Sequence, residues 1–206
     1  MMENQMLICQ IMSERDLAPF VRGAIETGEK NIIVLHLKKD CLSDLPDRDF
    51  LQIKKVLLDP YIISVLVIDC EFAMSLCEKI YIFDMCFLSD QGTLRYDPEH
   101  RTGRYFLQLL SAPKFSFGKE ARIMNCEELI NHGFANAILR NESFNEDLET
   151  QMSDLTMERT REQLHGIKSC MVAYKDCCLS GEALTADPET GYFCKLALIK
   201  IEEDTK

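Results

Sequence analysis

Ten cysteines and four histidines are the side chains of this 206-residue chain with the most chemistry in them. Imidazole changes charge between about pH 5 and 8, so His100, in a polar loop, could act as an acid or a base near neutrality. The plain alternative is that His100, like Glu99 before it, is an ordinary solvated loop residue. The cysteines stand at positions 9, 41, 70, 77, 86, 126, 170, 177, 178 and 194. No two have the C-x-x-C spacing of a zinc ribbon or a thioredoxin-like site, and no two histidines stand four apart, so no metal site is expected. Scattered thiols then read as small core hydrophobes. His36 lies inside an apolar run and reads as a satisfied core residue. His132 closes a helix, where a partly positive imidazole suits the carbonyl end.

Backbone-based chemistry is equally sparse. Neither G-x-G-x-x-G nor G-x-x-x-x-G-K-[ST] occurs, and no G-x-S-x-G elbow is present. The nine glycines compare with about 14 at usual frequency, which disfavours functions built on glycine-rich loops. A formal charge of -11 argues against a nucleic-acid partner. Residues 1–6 hold no basic stretch leading into an apolar one, so no secretory signal is expected. Ten cysteines without such a signal point to a reducing cytoplasm. The most apolar run, 61–68, is about a third of a membrane span, so no membrane partner is expected.

The elements that must position these side chains alternate strand and helix. Residues 6–12 read as a strand. Leu17, Phe20, Val21, Ala24 and Ile25 then form one helix face that stops at Gly28. Residues 31–37 read as a buried strand, completing a strand–helix–strand unit of an α/β sheet. After a loop over 38–46, the pattern predicts an amphipathic helix over 49–58. Asp59-Pro60 breaks it, and 61–68, apolar on both faces, is the expected central strand. Phe72, Ala73, Leu76 and Cys77 suggest a short helix, followed by strands over 80–83 and 86–88. Residues 90–104 read as a loop, and helices are expected over 105–110 and 117–124. Asn125-Cys126-Glu127-Glu128 has capping-box spacing for a helix ending at His132-Gly133, before a strand over 134–139. From Asn145 the chain reads as helical, with one helix over 156–178 and another over 189–202. The expected division is an α/β core over 1–140 and a helical C-terminal region of the same domain over 141–206.

The order of these segments resembles the enoyl-CoA hydratase/isomerase (crotonase) superfamily. In that family a helix and an R-V-V-V-L-T-G strand lead to a loop ending in A-G-A-D. Here NIIVLHLKKDCLSDL (31–45) occupies that place, with Cys41, Leu42, Ser43 and Asp44 at the loop. The family's K-P-V-I-A-A-V-N-G, glycine triplet and L-E-L-A-L-A-C-D-I-R-I-A are echoed by YIISVLVID (61–69) and CEFAMSLCEKIYIF (70–83). The most specific echo is RYFLQLLSAPKFSFGKEARIMNCEELINHGFANAIL (104–139), where helix, capping box, histidine-glycine stop and strand fall in the family's order. The resemblance implies a crotonase-like α/β fold, a spiral of strand-strand-helix turns, with a helical C-terminal oligomerisation region that forms trimers or hexamers.

It also implies a substrate class and a site. Family members act on acyl thioesters through an enolate, whose oxyanion is received by two backbone N–H groups. The corresponding backbones here are Cys41, Leu42 and Ser43 in one loop and Asp69, Cys70 and Glu71 in the other. Both depart from the family's small residues, and the second places two carboxylates where negative charge must develop. Tyr96-Asp97-Pro98-Glu99 matches the family's G-Q-P-E-like segment, which makes Glu99 the carried-over acid/base, with His100 beside it. The family's following glycine-rich turn is reduced to His100-Arg101-Thr102-Gly103. Lys38 and Lys39 would meet a CoA or phosphopantetheine phosphate by charge, or else form a solvated strand end. No cofactor is expected beyond the CoA or phosphopantetheine carrier of the substrate. Two functions follow: an active enzyme for hydration, dehydration, isomerisation or decarboxylation of acyl-CoA or an acyl carrier protein thioester, or a pseudoenzyme paired with an enzyme partner in secondary metabolism.

Overall fold

The computed structural model describes residues 5–17, 19, 30–111, 117–156 and 160–180. Its eight strands are β1 (Gln5–Ile11), β2 (Lys30–Leu37), β3 (Ile63–Ile68), β4 (Glu71–Ala73), β5 (Met85–Ser89), β6 (Thr93–Tyr96), β7 (Arg122–Met124) and β8 (Ala137–Leu139). The described α-helices are α1 (Asp47–Leu57), α2 (Leu76–Ile80), α3 (Arg101–Leu110), α4 (Cys126–Asn131), α5 (Phe144–Thr156) and α6 (Arg161–Ser180).

Five strands form a wholly parallel main sheet in the order β1-β2-β3-β5-β8. β3 lies in the middle and all six of its residues are buried, as its continuous apolar run predicts. Alternation along the strands sends side chains to two separate layers. Ile33, Leu35, Leu37, Leu66, Ile68 and Leu88 face α1, α2 and the smaller sheet. Ile32, Val34, Val65, Val67 and Phe87 face Leu148 and Met152 of α5 and Leu164 and Ile167 of α6. The described part of the helical C-terminal region packs one face on its own sheet.

The second sheet has the order β4-β6-β7. It is built by chain that runs straight on from the first: β3 continues through Asp69-Cys70 into β4, and β5 continues through three residues into β6. Each excursion then turns into a helix, giving β3-β4-α2 and β5-β6-α3. This is the expected strand-strand-helix turn, and it places the residues that leave the C-terminal ends of β2, β3 and β5 together at one end of the main sheet.

Several segments differ from expectation. The stretch 90–104 holds β6 and the first turn of α3, not only loop. Leu94 and Tyr96 are buried while Arg95 is exposed, a period-two pattern too short to stand out among polar neighbours. Residues 117–124 hold no helix; Arg122–Met124 pairs antiparallel with β6. Residues 71–73 form a strand, α2 begins at Leu76, and 80–83 close that helix instead of forming a strand. Ile80 and Phe83 both reach the core because their i, i+3 spacing suits a helical turn. The N-cap half of the box is present, with Asn125 Oδ1 accepting from Glu128 N–H at 2.8 Å, while the Glu128 carboxylate pairs with Arg122; Gly133 leaves the helix at φ 75°, a conformation that glycine takes without a Cβ penalty. Most of the helix expected over 17–25 and all of that over 189–202 lie outside the described residues. No described helix is long and apolar enough to cross a membrane.

Candidate functional site

β2, β3 and β5 end side by side, and the residues just inside and beyond their ends meet around one carboxylate. Asp69, the first residue after β3, accepts from Ser89 Oγ and from the Lys38 ammonium in close contacts and from His36 Nε2 at 3.2 Å. Burial pushes the Asp69 carboxyl up, but the hydrogen bonds from Lys38 and Ser89 and the lysine's charge outweigh it and hold it below the usual range. A carboxylate only accepts, so the His36 proton resides on Nε2 and Nδ1 is left as a lone pair. Burial, followed by the Lys38 charge, pulls the imidazole down against the opposing effect of Asp69, so His36 is neutral.

His36 is 1% exposed and its ring stacks on Phe144 at 4.2 Å. Its Nδ1 is buried without a hydrogen-bond partner, so the satisfied core histidine expected from the sequence is only half satisfied. A cavity of about 390 Å³ opens beside it, lined by Gln10, His36, Lys38 and residues 141–146 at the start of α5. The arrangement presents a cation and a neutral, carboxylate-backed imidazole at the edge of a polar cleft.

The two loops expected to receive an oxyanion come together. Asp40 accepts from Ser43 N–H at 3.0 Å, from Ser43 Oγ, and from Ala73 N–H at 2.8 Å, so it ties the 40–45 loop to β4. From the other side the buried Lys79 ammonium donates to the carbonyls of Leu42, Ser43 (3.3 Å) and Leu45 (2.7 Å) and lies 5.6 Å from the Phe50 ring centroid. Three of the six backbone N–H groups are engaged within the protein. Cys41 donates to Lys39 O at 2.8 Å and Asp69 to Leu37 O at 2.9 Å, while Ser43 is held by Asp40. The Cys70 thiol is pushed up to about 12 by burial, then by the negative charges of Asp40 and Asp69; Cys41 is also raised, chiefly by burial. Both are neutral thiols, poor nucleophiles and poor metal ligands.

Glu99 lies exposed in the turn before α3, its N–H donating to Asp97 Oδ1 at 2.9 Å. His100 caps that helix, Nδ1 accepting from Gly103 N–H at 3.0 Å. A Cβ on Gly103 would fall 2.4 Å from the Met74 carbonyl oxygen, so only hydrogen fits where α3 crosses the β4–α2 corner. The structure thus sets the Glu99-His100 turn against the same corner that Asp40 grips, while Lys38 joins the Asp69 cluster and Lys39 points to solvent. Sequence reading missed Ser89, Asp40 and Lys79, whose partners lie 20 to 37 residues away. His132 also differs from expectation: burial pulls its imidazole down, so it is neutral at the end of α4. Among the described residues no group of three or more His, Cys, Asp or Glu converges to hold a metal.

Comparison with known proteins places this architecture. No protein-family model matches the chain, and no curated sequence matches it. Solved structures do. A monofunctional enoyl CoA isomerase from M. smegmatis superposes with a TM-score of 0.62 at 11% identity, over 87% of this chain and 85% of that one. Methylmalonyl-CoA decarboxylase in complex with 2-nitronate-propionyl-CoA gives 0.59 at 14% identity, over 95% and 86%. An enoyl-CoA hydratase from Mycobacterium smegmatis gives 0.58 at 12% identity, over 93% and 81%. The fold is that of the enoyl-CoA hydratase/isomerase, or crotonase, superfamily.

Proposed function

We propose that this chain is a divergent crotonase-like protein that binds an acyl thioester, carried by CoA or an acyl carrier protein, and that it is non-catalytic or only weakly active. It would serve as a cytoplasmic accessory in a biosynthetic pathway, as a homotrimer or in company with an enzyme partner. Likeness of fold over most of the chain to proteins solved with CoA ligands supports the thioester part. The observation that carries the non-catalytic part is the state of the two loops. A thioester enolate needs two unspent N–H donors in a site free of negative charge. Here Cys41, Ser43 and Asp69, three of the six candidate donors, have given theirs to the protein, and the carboxylates of Asp40 and Asp69 stand in those loops.

Calorimetric titration with acetyl-CoA, longer acyl-CoAs and acyl-phosphopantetheine tests binding, and loss of absorbance of crotonyl-CoA tests hydration. Binding without turnover is the expected result. No binding of any thioester overturns the reading. Turnover that Glu99→Gln abolishes replaces it with the alternative, an active hydratase, isomerase or decarboxylase that uses Glu99. Light scattering and co-purification separate the trimer from a mixed assembly.

A further inference from the structure

A second cavity, of about 340 Å³, lies at the opposite edge of the main sheet, where Asp84 precedes β5 and Asn136 precedes β8. Its size falls in the range of small-molecule sites, roughly 300–1,000 Å³. Ile80, Phe83, Leu109, Leu110, Phe134 and Met171 give it apolar walls. Lys175 of α6 also lines it, donating from Nζ to the Phe83 carbonyl with the ammonium 5.8 Å from the Tyr81 ring centroid. The Tyr81 hydroxyl returns a hydrogen bond to the Lys175 carbonyl at 2.8 Å, which fixes that turn of helix.

Among the described residues the charges here do not balance. Asp84 is already held by Lys168 at 2.5 Å and by the Ser64 hydroxyl at 2.7 Å. Cys86 is pushed up to about 12 by burial and carries no charge. Among the described residues, two lysines against one carboxylate leave one positive charge in excess, in surroundings that solvate it poorly. Ser111, at the end of α3, lines the same cavity. It is 8% exposed, and its Oγ is buried without a hydrogen-bond partner. A buried hydroxyl left unpaired is costly, and this one shares its cavity with the surplus ammonium.

We propose that this cavity binds a small amphiphilic monocarboxylate, its head held by Lys175 Nζ and Ser111 Oγ and its aliphatic or aromatic tail against Phe83, Leu109 and Phe134. One excess positive charge matches a monoanion. An amine would meet like charge, and an alcohol would leave the lysine uncompensated. The site lies at the sheet edge away from Asp69 and shares no residue with the thioester reading.

Octanoate titrated into the full chain, with octylamine and octanol as controls of equal tail, tests this by calorimetry. Octanoate should saturate a single site, octanol bind more weakly and octylamine not at all, with no competition from acetyl-CoA. Loss of the charged partner in Lys175→Met should weaken octanoate roughly tenfold or more, while Lys175→Arg keeps most of the affinity and Ser111→Ala loses part of it. Equal binding of octylamine, or unchanged octanoate affinity in a folded Lys175→Met protein, overturns the proposal. Should that variant not fold, Leu110→Trp fills the cavity from its apolar wall and must abolish binding; undiminished affinity there overturns it equally.

Discussion

Replacing Asp69 by asparagine keeps the shape of the side chain and removes the charge around which three strand ends are organised. The native carboxylate accepts from Lys38, Ser89 and His36, and its side chain is 4% exposed. An asparagine keeps one acceptor oxygen for Lys38 and His36 and turns an NH2 group toward Ser89 Oγ, whose hydroxyl then loses its charged acceptor and must rotate. Lys38, 31% exposed, can turn to water, so its share is small. The buried Ser89 hydroxyl and His36 Nε2 cannot. Hydrogen bonds to charged groups are worth about 1.5–3 kcal/mol each, and breaking a buried charged cluster costs about 3–5 kcal/mol. With a urea dependence of about 1–3 kcal/mol per molar, the midpoint of unfolding, followed by circular dichroism at pH 7, should fall by roughly 2 M.

The sign of the pH dependence follows from the direction of the Asp69 shift. Its folded-state pKa is lowered, so its contribution is complete above the unfolded value, about 3.9, and is lost as pH falls through the folded value. The gap between wild type and Asp69→Asn should hold from pH 7 to 4.5 and narrow below 4. His36, also lowered, acts in a separate window: the unfolded chain takes up its proton first, so stability declines below about pH 6.5. A midpoint change under about 0.3 M, or a gap that stays constant down to pH 3, would refute Asp69 as the organising charge.

Further outcomes follow from the same geometry. Lys79→Met strips the ammonium from the Leu42, Ser43 and Leu45 carbonyls and should cost about 2–4 kcal/mol, with faster amide hydrogen exchange over 40–45; unchanged exchange would show that Asp40 alone holds the loop. Gly103→Ala drives a Cβ to within 2.4 Å of a backbone oxygen and 2.7 Å of His100 Nδ1, and should destabilise by about 1–3 kcal/mol, seen as a lower thermal midpoint. Octanoate affinity should fall as pH rises through about 8, because burial and then Lys168, opposed by Asp84, bring Lys175 there. Asp84, Lys168 and Cys86 are the other titratable groups facing it, with the Tyr81 ring beside them. Affinity unchanged from pH 7 to 9.5 would remove Lys175 from the head-group contact.

What the sequence reveals of this fold depends on how local the signal is. β3 is legible because its six residues are all buried, and a run apolar on both faces has few other uses. The α4 cap and Gly133 are legible because capping chemistry is contained within nine residues. β6 and β7 are not, since four- and three-residue strands carry too few alternations to be seen. The site is harder still. Nothing near Asp69 announces that Lys38, 31 residues before it, and Ser89, 20 residues after it, will share its carboxylate. Only the parallel register that sets Leu37 beside Ile68, and Ile68 beside Leu88, brings them together.

That register also bears on the proposed loss of catalysis. A loop that receives an enolate keeps its backbone close to the ligand and its N–H groups unspent. In this chain the 40–45 and 69–71 loops are held by side chains. Asp40 pins the first loop to β4 from one side and Lys79 grips its carbonyls from the other, while Asp69 closes the second loop onto β2 through both its N–H and its carboxylate. Each of these contacts adds rigidity, and those of Asp40 and Asp69 also draw on a donor or add a negative charge where an enolate would need the opposite. Reversing the effect would take simultaneous change at Asp40 and Asp69. The charge-assisted hydrogen bonds that stabilise the edge of the sheet are the same ones that oppose oxyanion chemistry there, so a catalytically competent variant should be less stable than the natural chain.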